Sequence, residues 1–321
     1  MSESFLPVRL KTLKPNLYLG FELYIKLPHK MVLYADSNSV LEQSRMESLK
    51  AKKVRKLFIK DSDEKNYQEF IDKSLSAIMN NESATIEEKA EVIGDTAENS
   101  AEQIFERPQE KSSYLSAQTT SQNLIKYLGE NDKLLKSIFN RKLSESDNSP
   151  DTLMHKHSLN SAGLIIGFAE FMQVSKDKIE VMGMAGLFHD IAFSLYDKEY
   201  KGCFFKKMVE LSATELTKYK EHPKLGTELL QDKDYASKEL LDYILKHEER
   251  IGGNGFPNKL QKLSNEQAII NLCIHYDRFH TCLGMEMAEV FEDINLNQIG
   301  NFDLDLIKKF KEFLKNNNLN S

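Results

Sequence analysis

His247-Glu248-Glu249-Arg250-Ile251-Gly252-Gly253-Asn254-Gly255-Phe256-Pro257 opens with an imidazole and two carboxylates and runs into a glycine-rich loop closed by proline. Ahead of it, Leu240, Leu241, Ile244 and Leu245 recur as one face of a helix. Gly252, Gly253, Gly255 and Pro257 stop that helix. His247 and Glu248 are therefore expected at a helix end, where their side chains can point into a cleft. A helix followed by an ordinary surface turn would use the same residues. The histidines upstream are what distinguish the two.

From Leu153 onward the apolar pattern is helical throughout. Leu164, Ile165, Phe168 and Phe171 mark one helix, and Ile179, Met182, Met184, Ala185 and Leu187 a second. Leu225, Leu229 and Leu230 mark a third, Leu240 to Leu245 a fourth, and Ile269 to Phe279 a fifth. Leu304 to Leu314 reads as a lysine-rich, solvated cover. His157, His189, His222 and His247, with His155 beside the first, are distributed over these helices. His189 is followed at once by Asp190, and Asp277 lies on a later helix. Adjacent helical residues point about 100° apart, so a His-Asp pair serves a metal best near a helix end. A carboxylate there has two oxygens and can bridge two cations. Imidazole and carboxylate without thiolate suit Fe, Mn or Zn rather than a structural zinc site. Any one of these histidines alone is more often an ordinary core or surface residue. The ordered series on successive helices argues for a metal centre.

The order His157, His189-Asp190, His222-Pro223-x-x-Gly226, His247-x-Glu249-Arg250-x-x-Gly253-x-Gly255-Phe256-Pro257 and Asp277 resembles the HD-GYP domain, a subgroup of the HD phosphohydrolase superfamily. The resemblance covers about residues 150 to 290 and implies a helical bundle that hydrolyses cyclic di-GMP or a related anionic nucleotide. It implies two metal ions, iron or manganese. One would take His157, His189, Asp190 and Asp277, and the other Asp190 as a bridge, His222, His247 and Glu248. Asp190, Glu249 and Arg250 carry over as catalytic residues, and Lys207, Arg250, Gly253 and Gly255 as the substrate side. The family pattern is not kept everywhere. Glu248 stands where a second histidine is expected, Phe256 where a tyrosine is, and Phe193 where a lysine is. The arginine expected after Asp277 is replaced in Leu283-Gly284-Met285-Glu286. Leu153 stands where three-metal members would carry a glutamate, so two cations are expected. These departures leave two further readings: a degenerate member that binds metal and acts through a partner, and a phosphohydrolase of another substrate.

The 321 residues allow two domains. The fold class expected is α+β: a small α/β N-terminal module over 1–80, a helical connector over 81–149 and the helical bundle over 150–321. Val8 to Leu13, Leu17 to Leu27, Met31 to Tyr34 and Lys53 to Lys60 carry strand signals. Ser39 is a candidate cap for a helix over Val40 to Lys50, and Asp61 to Met79 reads helical. Ile86 to Ile104 forms one narrow apolar stripe, and a single helix follows through Leu115 to Phe139. Ser144 to Pro150 reads as a linker. The stripe packs on that following helix or on a second copy of the chain, so a homodimer is one expected partner and a protein docked on the N-terminal module another. A formal net charge of -6 speaks against DNA as a partner. No apolar run reaches 18 residues, so no membrane span is expected. Three unpaired cysteines and no secretory signal point to a reducing, cytoplasmic setting.

Overall fold

The computed structural model describes residues 4–141 and 149–319. The chain separates into two compact units, Met1–Gln103 and Ile104–Ser321.

The first unit is built on a four-stranded antiparallel sheet of order β1-β4-β2-β3. Its strands are β1 (Phe5–Arg9), β2 (Leu23–Leu27), β3 (Lys30–Ala35) and β4 (Lys56–Lys60). In β4 the period of two is plain: Leu57 and Ile59 are buried while their neighbours are half-buried. Two expected strands are shorter than their apolar runs. Leu10–Thr12 is a 3-10 turn, and Asn16 and Gly20 take positive φ, so pairing in the second run begins only at Leu23. Helix α1 (Gln43–Ala51) starts after Glu42 rather than at Ser39, which instead lies beside the isolated Tyr18–Val40 bridge. Helix α2 (Glu64–Met79) lays Tyr67 and Phe70 edge-on against Phe21, at centroid distances of 5.6 and 5.5 Å. The unit boundary falls inside α3 (Ile86–Glu106). This helix is buried well beyond a narrow stripe, since Asp95, Glu98 and Asn99 are buried along with Ala90, Ile93 and Ala97. The acids are matched within the unit: Arg9 reaches Glu98 at 2.5 Å and Glu102 at 2.7 Å.

The second unit is helical: α4 (Lys111–Glu130), α5 (Asp132–Phe139), α6 (Pro150–Phe171), α7 (Lys176–Phe188), α8 (Lys198–Lys201), α9 (Ala213–Glu228), α10 (Lys238–Lys246), α11 (Asn265–Asp277), α12 (Met287–Asn297) and α13 (Leu304–Asn316). The one helix expected over 115–139 is two. Asn131 is extended, and its side chain accepts from Lys133 N at 3.0 Å, so it ends α4 and caps α5. The expected linker lies largely outside the described residues. Pro150 itself opens α6, where proline costs no hydrogen bond, behind a Ser149 cap. Helix α6 is the centre of the bundle, with Ala162, Leu164, Ile165, Ile166 and Phe168 fully buried. α7 packs on it closely enough that a Cβ on Gly186 would meet the Ala162 backbone at 2.7 Å. That close approach brings the end of α7 to the His157 face of α6. Helix α13 is not a solvated cover. Phe310, Phe313 and Leu314 are buried, and the Phe310 ring lies 4.9 Å from Phe168 and 5.3 Å from Tyr276. Its lysines mask in the sequence an apolar face that the bundle uses. Among the described residues, no helix is long and apolar enough to cross a membrane.

Candidate metal centre

His157 sits within α6, His189 caps the C-terminal end of α7, His222 lies in α9, and His247 caps the C-terminal end of α10. Asp190 follows His189 as the chain leaves the helical geometry. That placement lets two adjacent residues face one point, which a regular helix would forbid. The His157, His189 and Asp190 ligand atoms form one group that could hold a metal ion, and those of Asp190, His222 and His247 form a second.

Asp190 divides its oxygens between the two groups. Oδ2 lies 3.0 Å from His189 Nε2 and 3.7 Å from His157 Nε2. Oδ1 lies 3.2 Å from His222 Nε2 and 3.7 Å from His247 Nε2. Within each pair the ring nitrogens face each other, at 3.0 Å for His157–His189 and 2.8 Å for His222–His247.

The outer nitrogens fix the tautomers. His189 Nδ1 donates to Gly186 O at 2.9 Å, His247 Nδ1 donates to Ile244 O at 2.7 Å, and His222 Nδ1 donates to Tyr219 O. A carbonyl only accepts, so each Nδ1 carries a proton, and in the neutral form of the ring a bare Nε2 faces inward. His157 Nδ1 lies 2.7 Å from Asp277 Oδ2, and the Asp277 Oδ1 accepts from Asn160 at 3.1 Å and from Thr281 at 2.9 Å. Ring nitrogens and one carboxylate thus converge in a buried interior, an arrangement that favours positive charge at its centre. Charge states follow the same logic. Burial opposes ionisation of both His189 and Asp190, yet their mutual attraction wins: the imidazole pKa is raised and the carboxyl is held well below its ordinary range. Burial, reinforced by His222 and His189, pulls His247 down to about 3 and keeps it neutral, as a ligand must be. The donor set fits hard or borderline divalent cations bound by nitrogen and oxygen.

Comparison with known proteins agrees with this geometry. Residues 145–279 match the HD domain family. Over 107 residues the chain is 29% identical to a cyclic di-GMP phosphodiesterase of Pseudomonas aeruginosa, a stretch that is 33% of this chain and 25% of that protein. The match thus spans a quarter of that relative's length. An HDG"Y"P protein from Bdellovibrio bacteriovorus shares the fold over 97% of this chain and 100% of its own, with a TM-score of 0.71 at 24% identity. Residues 145–279 thus form an HD domain, and the chain resembles an HD-GYP protein in fold.

The remaining residues singled out in the HD domain stand around the centre rather than in it. Glu248 is buried beside His247, and its carboxylate accepts from Tyr219 Oη at 2.5 Å and from Arg250 Nη2 at 2.8 Å. Burial resists its charge, but Arg250 and His247 hold its pKa down at about 2. Arg250 also donates to the carbonyls of His247 at 3.2 Å and Glu249 at 2.8 Å. Glu249 accepts from the backbone N–H groups of Asn258 and Leu260 and so clamps the far side of the glycine loop. Gly253 supplies a positive φ, and its N–H is spent on Arg250 O at 3.0 Å. A Cβ on Gly255 would lie 2.3 Å from Arg250 N, so only glycine lets the loop fold back here. Lys207 is half-exposed and pairs with Asp293 at 3.3 Å. His155 is two residues from His157, so it falls on the other side of α6, where its ring lies 5.2 Å from Phe105.

Two contributors escape a reading by motif. Tyr219, one turn before His222, holds Glu248. Arg278, directly after Asp277, is buried with its guanidinium 4.8 Å over the Tyr219 ring. It donates to Phe204 O at 3.1 Å and Lys206 O at 2.7 Å. An arginine is therefore present near the centre, at a different step from the expected one. Adjacency to Asp277 was its only signal in the sequence. Above the histidines lies an apolar roof of Met154, Phe193, Cys203, Phe204, Tyr219 and Phe256. Phe193 packs 5.0 Å from the His222 ring and is fully buried, so a lysine at that position would bring its charge into this roof.

Proposed function

We propose that the chain is a metal-dependent phosphodiesterase acting on cyclic di-GMP through two cations that share Asp190. The observation that carries this reading is the division of the Asp190 oxygens between two histidine pairs that face it with Nε2, while the Nδ1 atoms of His189 and His247 donate outward. His157 and His189 would hold one cation and His222 and His247 the other. Asp277 and Glu248 are the outer carboxylate proposed for each. A carboxylate has about four acceptor positions, so the hydrogen bonds both already make can persist when an oxygen ligates. Iron or manganese suits this mixed set.

Bound cations supply Lewis acidity, stabilising charge on phosphoryl oxygens and making water acidic enough to react near neutral pH. The chain's own part is positioning. The Nδ1 donations fix each imidazole, the Asp190 charge offsets the cations, and the Arg250 knot fixes the loop beneath them. Arg278 places a permanent positive charge beside the centre, although its donors are engaged by Phe204 and Lys206. The absence of a lysine at 193 and the Lys207–Asp293 pair leave few charge-assisted contacts for the phosphates, each worth about 1.5–3 kcal/mol. Turnover is therefore expected to be slow.

The apolar roof favours a second reading, in which the site binds metal and nucleotide without turnover and acts through a partner. Elemental analysis of anaerobically prepared protein, with binding and hydrolysis of cyclic di-GMP measured on the same sample, separates the two. Two metals per chain with measurable hydrolysis supports the enzyme. Binding without product supports the second reading, and neither metal nor binding would sink both.

A further inference from the structure

The outer edge of the N-terminal sheet has a structure of its own that the metal centre does not use. β3 is the last strand, hydrogen-bonded to β2 on one side only. Its residues Lys30, Val32 and Leu33 are exposed, Leu33 at 50%, and Leu27, Tyr18 and Val40 nearby are exposed as well. A bare, apolar edge strand is a template for another strand unless something blunts it. The only charges within the β2–β3 hairpin are Lys26 and Lys30, and Asp36 follows directly after β3.

The register with β2 fixes which groups point outward. The hairpin turns through Pro28 and His29, with Leu27 opposite Lys30 and Ile25 opposite Val32. In an antiparallel pair, residues alternate between bonding their neighbour and presenting N–H and C=O to the far side. Lys30 and Val32 therefore bond inward to β2, while Met31 and Leu33 offer their backbone groups outward. The irregularity between Leu23 and Tyr24, opposite Leu33 to Ala35, ends that phase.

We infer that this edge pairs antiparallel with β3 of a second copy of the chain, about a twofold axis at Val32. Only that axis sets Met31 opposite the partner's Leu33, and Leu33 opposite the partner's Met31, so that all the outward groups of both copies find each other. The two Val32 side chains then meet across the axis as a close, non-hydrogen-bonded pair. Lys30 comes opposite the partner's Tyr34 and diagonally next to the partner's Asp36, within reach of a long side chain. In this register the exposed lysine has a carboxylate within reach, although Arg45, 5.2 Å over the Tyr34 ring, adds a second cation there. The pairing joins two four-stranded sheets into one and covers Val32 and Leu33. It is independent of the reading of the metal centre.

The test uses the full chain. Analytical ultracentrifugation should show a dimer. Leu33→Pro removes the outward N–H without touching a bond to β2, and proline is tolerated at a sheet edge. It should weaken the dimer about tenfold or more, through two lost interchain bonds, while the far-ultraviolet circular dichroism of the folded chain stays unchanged. Val32→Cys should give a disulfide-linked dimer on mild oxidation, because those side chains face each other. Leu33→Cys and the parent chain should not. A chain that stays monomeric at about 100 μM, or a dimer indifferent to Leu33→Pro, or crosslinking by Leu33→Cys in preference to Val32→Cys would overturn the assignment. Should Leu33→Pro fail to fold, the cysteine pair decides alone.

Discussion

Two buried, charged clusters lie next to each other in the HD domain and follow opposite plans. In the histidine cluster, ring nitrogens face one another: Nε2 meets Nε2, and both pairs meet the Asp190 carboxylate. In the Glu248–Arg250 loop, donors meet acceptors at every step. Arg250 donates to Glu248, His247 and Glu249, and Asn271 adds bonds to Lys246 O at 2.9 Å and Glu249 O at 2.8 Å. Both are buried and polar, and neither burial nor an individual pKa tells them apart. The sense of the hydrogen bonds does. A cluster whose donors all point outward is built around something positive, whereas a cluster that closes on itself is built to hold the chain.

The sharpest way to break this distinction is to remove the shared member of the first cluster. Asp190→Ala should empty both metal positions, because it takes a ligand from each and leaves the repulsion between two cations uncompensated. His157→Ala should empty mainly one. Elemental analysis of the two variants checks this, and equal retention of metal in both would show that Asp190 does not bridge.

The converse change belongs to the second cluster. Arg250→Met keeps an apolar stem but strands the Glu248 carboxylate in the interior. Removing one partner of a buried pair costs about 3 kcal/mol or more. A denaturant melt should show that loss, with metal content per folded chain unchanged. A variant as stable as the parent would mean that water reaches Glu248 and that the loop is not closed.

The two clusters also differ in how far they could be read from the sequence. His157, His189, Asp190, His222 and His247 were legible because each is a rare residue type at a fixed place on a recognisable helix. Convergence of such residues follows from helix order. Tyr219 and Arg278 were not legible in this way. Their roles come from contacts between α9, the 204–206 segment and the end of α11, and no local pattern encodes which backbone carbonyl a guanidinium will reach. The same holds for the fold. The α+β class and most helices follow from periodicity. The break at Asn131 and the burial of α13 depend on one side chain's cap and on a partner face contributed by Phe168 and Tyr276.

Glu248 belongs to the loop and is proposed for the metal centre as well, and its substitution gives the smallest and most informative effect. Glu248→Gln keeps the shape and still accepts from Tyr219, but it removes the charge. Its amide must also turn either an oxygen or a donor toward Arg250. If Glu248 helps hold the cation between His222 and His247, that metal should bind about tenfold more weakly, roughly the 1.4 kcal/mol of one modest contact. The cation between His157 and His189 should bind as before. A metal titration followed separately for the two positions reads this directly. Both affinities unchanged, with only the unfolding midpoint lowered, would assign Glu248 wholly to the loop. The cation at His222 and His247 would then be held by two imidazoles and Asp190 alone, with more of its coordination left to substrate or water.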